Sequence, residues 1–237
     1  MEECFKCVEK VVNEYLPEIV LSLKKNPAAR EALKEICDLL ADIVEIANIE
    51  IPRNYRVEEV MNFCTLSTLM MIVRPAMDHV LAAYVSGAYP LCYQPIRIST
   101  EALAYSLYVD MEMPLVDESV FLEKLLMFQK DLEKKQIKMS KLIEDLSNVV
   151  GEGLSRKMMK IWSKTSNDFL HFKGYLDKML RWNSDNLPPS YLVGSFVEYN
   201  HTDEPYLEGL KKIVEEFREL LKGTWSFWKS WYDKQTT

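Results

Sequence analysis

Apolar residues recur along most of the chain at steps of three and four, the spacing that lines one face of an α-helix. Val8, Val11, Val12, Tyr15, Ile19, Val20 and Leu23 mark a first helix over 3–25, in which Pro17 should force a kink or a restart. Asn26 followed by Pro27 is a helix-start signal, a capping side chain before a proline whose missing N–H costs nothing at the first position. Leu33, Ile36, Leu40, Ile43, Val44 and Ala47 then carry a second helix, expected to end before Pro52 in a loop over 51–55. A third begins at Val57 and runs through Met61, Cys64, Leu66, Leu69 and Ile72 to Pro75. The pattern resumes at once with Met77, Val80, Leu81 and Tyr84, so a kink and a break at Pro75 are both open. Gly87 reads as a stop, Pro90 as a restart, and Pro95 as a first-turn or kink position.

The stretch from Met77 to Asp110 is apolar nearly all round, with Arg97 and Glu101 among its few charges. A segment so apolar predicts a central element surrounded by others. Beyond Pro114, Asp117 or Ser119 caps the next helix. Its stripe is Phe121, Leu125, Phe128, Leu132, Met139, Leu142, Leu146 and Val149, with a bend expected around 134–136. Gly151-Glu152-Gly153 marks a hinge before a helix over 154–182, and 183–205 reads as non-helical, with one short extended, β-prone segment near 191–199. A last helix over 206–232 carries Leu210, Ile213, Phe217, Leu220, Leu221, Trp225, Trp228 and Trp231, tryptophans whose helical spacing favours packing. The expectation is an all-α fold: one domain over 1–237, a bundle of about seven helices, with N-terminal helices in 1–50 and a C-terminal helix over 206–232.

Composition narrows the function classes. Only 7 glycines occur in 237 residues, which suits long helices with few turns and leaves no glycine-rich phosphate loop. A net charge of −7 argues against overall attraction to nucleic acid or anionic membranes, though not against a local basic patch. Cys4, Cys7, Cys37, Cys64 and Cys92 follow no disulfide framework, and Cys37, Cys64 and Cys92 fall in apolar helical pattern as small buried hydrophobes. The charged N-terminus does not read as a signal peptide, and the segment 77–93 is too interrupted to span a bilayer. A cytoplasmic protein without membrane attachment is the expectation.

Two sets of residues carry candidate chemistry. Arg97 and Glu101 stand four apart on one helical face, as an internal tie or as part of a ligand-binding pocket. If fully buried, such a pair costs about 3–5 kcal/mol when one partner is lost. The second set is Ser166-Asn167-Asp168-Phe169-Leu170-His171, where Asn167 and His171 share a face. It lies in a basic segment: 151–182 holds seven Lys and Arg (Arg156, Lys157, Lys160, Lys164, Lys173, Lys178, Arg181) against three acids. A histidine in a basic field suits acid/base work or phosphate binding; the plainer reading is a hydrogen-bonded histidine at a helix interface. Asp168 and His171 have the spacing of a di-metal bundle motif, but its second copy is missing, and Cys4-x-x-Cys7 lacks further ligands. No metal site and no cofactor are expected.

The Asn167-x-x-x-His171 pattern near the end of a helical core resembles the HEPN superfamily of small helical bundles, over 57–182. Its motif is an arginine, a polar residue, three further residues and a histidine. Asn167 and His171 match the polar and histidine positions, while Ser166 stands where the arginine would be. The resemblance implies a homodimer, and in its active members the Arg and His of two subunits meet to cut RNA. Without the arginine it implies a non-catalytic binding or interaction module, with Arg97, Glu101, Arg156, Lys160 and Lys164 toward RNA, a nucleotide or an acidic protein. The alternative is a ribonuclease or nucleotide-processing enzyme using His171 and Asn167, with Lys164 or Arg97 replacing the lost cation.

Overall fold

The computed structural model describes residues 11–112, 138–166 and 203–236, together with Glu9, Lys130 and Tyr199. All the secondary structure among them is helical, as the periodicity predicts. Of the β-prone segment expected near 191–199 only Tyr199 is described, and the residues Asn167 and His171 lie outside the described residues.

The first helix, α1 (Leu16–Lys25), is preceded by a π-helical turn at Val11–Tyr15. Helix α2 (Pro27–Val44) starts where the Asn26-Pro27 signal places it, with the Asn26 Oδ1 accepting the Ala29 N–H at 3.0 Å. The expected stop before Pro52 does not occur. Instead a π segment (Glu45–Glu50) leads into α3 (Ile51–Asn54), which carries Pro52 and ends at the extended Tyr55. Helix α4 (Val57–Asn62) is then separated from α5 (Cys64–Thr68) by Phe63, at φ −108° and ψ 118°. A third π segment (Leu69–Val73) continues α5 into α6 (Arg74–Val85), so Pro75 does not break the chain direction.

One physical device recurs at Pro17, Pro52 and Pro75. A proline ring clashes with the carbonyl four residues before it and cannot donate to it. Those carbonyls belong to Asn13, Asn48 and Met71, and each lies inside a π segment. The wider i to i+5 turn displaces the carbonyl and lets the helix absorb the proline.

Gly87, at φ 75°, ends the α6 run, and a 3-10 turn (Tyr89–Cys92) feeds α7 (Tyr93–Glu112). Helix α7 is central, as its composition predicts: α5, α6, α8 (Met139–Val150), α9 (Glu152–Thr165) and α10 (Glu204–Thr236) all pack against it. Helix α8 begins after the extended Lys138 and buries Leu142, Ile143, Leu146 and Val150; Val149, expected in its stripe, is exposed. Gly151, at φ 84° and ψ 151°, makes the hinge from α8 to α9. Helix α10, about 50 Å long at 1.5 Å per residue, lies along α2 and α9.

The core is a continuous apolar cluster that includes Ile36, Leu39, Ile43, Leu69, Met77, Ile96, Leu103, Ile161 and Phe217. Trp225 and Trp228 are buried in it, stacked on one another at 5.8 Å and met edge-on by Tyr55. The tryptophan series is therefore packing, as its spacing predicts. Outside the core, α10 and α2 are joined by ion pairs: Lys211 with Glu31, Lys222 with Asp42, and Arg218 with Asp42, Asp38 and Glu35.

Candidate functional site

Arg97 and Glu101 lie one turn apart on α7, on the side that meets α9. The Arg97 Nε donates to Glu101 Oε1 at 2.9 Å. The same carboxylate oxygen accepts the Trp162 indole N–H from α9 at 2.8 Å. Arg97 Nη1 in turn donates to Ser166 Oγ at 2.6 Å, just beyond the end of α9, and its guanidinium lies 5.4 Å from the Trp162 ring centre. The Ser166 hydroxyl in turn donates a hydrogen bond to the Trp162 backbone carbonyl. The four side chains thus form one closed polar network across the α7–α9 contact. Arg97 Nη2 and Glu101 Oε2 make no hydrogen bond among the described residues.

This network is half-buried, with side-chain exposures of 22% for Arg97 and 29% for Glu101. That corrects the deeply desolvated tie foreseen from composition. An ion pair so close to water contributes about 1 kcal/mol or less, not the 3–5 kcal/mol of an enclosed one. Tyr105, a further turn along α7, completes the edge of the cluster; burial and then the Glu101 carboxylate push its phenol up.

Through its bond to Ser166, Arg97 brings a guanidinium from the neighbouring helix to within one residue of Asn167 in sequence. Sequence spacing could pair Arg97 with Glu101 but gave no signal for Trp162, 61 residues from Glu101; Ser166, 69 residues from Arg97, entered only through the resemblance, which offered Arg97 as a replacement for the missing cation.

The basic residues of α9 are less available than their sequence suggests. Arg156 pairs with Glu152, while Lys157 and Lys160 pair with Glu219 and Glu216 of α10 at 2.6 and 2.7 Å. Lys164 forms no ion pair among the described residues. Acids of α10, more than 50 residues away, thus compensate two of the α9 lysines; Lys173, Lys178 and Arg181 lie outside the described residues. Of the other candidate groups, Cys92 is buried, Cys64 is half-buried and Cys37 is exposed on α2, contrary to the expectation of burial. Cys4 and Cys7 lie outside the described residues. No cluster of three or more potential metal ligands occurs among the described residues, and no described helix is long and apolar enough to cross a membrane.

A second polar centre was not foreseen. Asp110, near the C-terminal end of α7, is buried, with 3% of its surface exposed. Its Oδ1 accepts the Cys64 N–H at 2.7 Å, and its Oδ2 accepts the Thr65 N–H at 3.0 Å and the Trp228 indole N–H at 2.8 Å. The carboxyl thereby caps the start of α5 from another helix and ties it to α10, which explains the break at Phe63. Apolar periodicity runs unbroken through that break, so the sequence carried no sign of it.

The chain matches no family model, no curated protein and no solved structure.

Proposed function

We propose that this helical bundle is a non-catalytic binding module related in plan to the HEPN proteins, taking a phosphate-bearing ligand, RNA or a nucleotide, at the α7–α9 contact. The observation that carries the reading is Arg97. Its guanidinium stands at Ser166, the position of the motif arginine, and is already compensated by Glu101 and held over Trp162. Among the described residues a cation held this way keeps its Nη2 edge for an oxyanion, with Lys164 nearby in sequence as a second donor. The same compensation by Glu101 works against its stabilising the extra negative charge of a phosphoryl-transfer transition state.

The reading is tested by titrating a short single-stranded RNA and, in parallel, a nucleoside triphosphate into the protein at two salt concentrations. Binding that weakens with salt, and weakens further in Arg97→Met and Lys164→Ala, is the expected result. Affinity indifferent to salt and to both substitutions would sink it.

The alternative is a ribonuclease in which Arg97 replaces the motif arginine and acts with His171. The reach of Arg97 to Ser166 is what favours it. RNA cleavage by the wild type that is lost in His171→Ala would establish this reading in place of the first. Both readings include a homodimer, which sedimentation of the full chain measures directly.

A further inference from the structure

A guanidinium offers two forks, the Nε–Nη2 edge and the Nη1–Nη2 edge, and an oxyanion is held best by both teeth of one of them. At Arg97 each fork has lost a tooth to an internal partner. Glu101 Oε1 accepts from Nε at 2.9 Å, and Ser166 Oγ accepts from Nη1 at 2.6 Å. Nη2 alone is without a hydrogen bond among the described residues, so a ligand that takes two teeth has to displace Glu101 or Ser166.

The two partners differ in how firmly they are set. Ser166 is buried, with 4% of its surface exposed, and the bond it donates to the Trp162 carbonyl fixes its hydroxyl. The Glu101 side chain keeps 29% of its surface in water. Its carboxylate has a second anchor in the Trp162 indole N–H at 2.8 Å, and its Oε2 makes no hydrogen bond among the described residues. Glu101 can therefore give up Nε while staying on the indole. Arg97 remains in place, held by Ser166 and by the Trp162 ring, whose centre lies 5.4 Å from the guanidinium.

A group that replaces a carboxylate at Nε has to be the stronger acceptor. A phosphate monoester is one: its second proton leaves at about pH 6, so near neutrality it is a basic oxyanion with close to two charges. A phosphodiester is not, because its single charge is spread over two weakly basic oxygens.

We propose that Glu101 is a selectivity gate on Arg97, yielding Nε to a phosphate monoester and withholding it from phosphodiesters. The proposal rests on the reading of the α7–α9 contact as a phosphate site. It narrows the ligand to a terminal phosphate, on a free nucleotide or at the end of an RNA chain.

The test titrates three probes into the full chain, into Glu101→Gln and into Arg97→Met: a ribonucleoside 5′-monophosphate, and one short single-stranded RNA with a 5′-phosphate or a 5′-hydroxyl end. In the wild type the 5′-phosphate should tighten RNA binding about tenfold, the worth of one more charge-assisted hydrogen bond at a half-exposed site. Glu101→Gln leaves a neutral amide oxygen on Nε, which a diester also displaces. Every probe should then bind more tightly, and the preference should narrow to about threefold or less. Arg97→Met should abolish the preference. Loss of through-space repulsion alone has the opposite sign, since a dianion gains more than a monoanion when a nearby negative charge is removed. Monophosphate binding as tight as that of the phosphorylated RNA makes a free nucleotide the source of the phosphate, and weaker binding makes it an RNA end. A preference that is missing from the wild type, or unchanged or widened in Glu101→Gln, overturns the gate; if binding still weakens with salt and in Arg97→Met, the phosphate site stands without it. No Arg97-dependent binding of any probe, to wild type or to Glu101→Gln, overturns both.

Discussion

The Arg97–Glu101 network allows its energetics to be worked out before it is measured. In Glu101→Gln the Oε1 remains an acceptor for both the Arg97 Nε and the Trp162 indole, so only the charge is lost. The cost should be about 1 kcal/mol or less. Arg97→Met removes the ion pair, the bond to Ser166 and the contact with the Trp162 ring together. With about 0.5–1 kcal/mol for each exposed or half-exposed interaction, and methionine restoring some packing, the loss should be about 1–2 kcal/mol. The coupling between the two sites, from a double-mutant cycle, should be about 0.5–1 kcal/mol because both side chains keep a quarter or so of their surface in water. Urea denaturation of the four proteins, at low and high salt, measures it, and the coupling should shrink with salt. A coupling of about 3 kcal/mol or more that salt leaves unchanged would refute the reasoning, because only a fully desolvated pair behaves that way.

Other outcomes follow from single positions. Gly151→Ala should destabilise by about 1–3 kcal/mol in thermal unfolding, since Gly151 holds φ 84° although no atom lies within 4 Å of the added Cβ. Gly153→Ala, two residues on inside α9 and equally unobstructed, should stabilise by about 0.5–1 kcal/mol; the same sign for both would contradict the geometry. Asp110→Ala strands three N–H donors in the core and should cost about 3–5 kcal/mol by chemical denaturation. Arg218→Met leaves Glu35, Asp38 and Asp42, neighbours on one face of α2, without the α10 guanidinium that joins them, and should cost about 1–2 kcal/mol, less at high salt.

Much of the fold was legible without coordinates. The three-and-four spacing of apolar residues, the scarcity of glycine and the Asn26-Pro27 start are local signals, and helices are built from local hydrogen bonds. The all-apolar character of Met77–Asp110 identified the central element for the same reason, because a helix without a polar face must be enclosed. That Arg97 and Glu101 share a face also follows from spacing alone. What spacing could not supply was any partner more than one turn away. Trp162 and Ser166 close on Arg97 and Glu101, α10 glutamates compensate the α9 lysines, and Asp110 caps α5 from another helix, all through contacts many tens of residues apart. By pattern alone Pro17 reads as a kink or restart, Pro52 as a stop and Pro75 as a kink or a break, because a regular α-helix does not hold a proline in its interior, whereas packing on a core favours continuing the helix through a local π turn. Chain-local chemistry settles which segments are helical. Only the packing of those helices on one another decides which of their charges face water, which are compensated, and which, as at Asp110, are buried with N–H donors and no ion pair among the described residues.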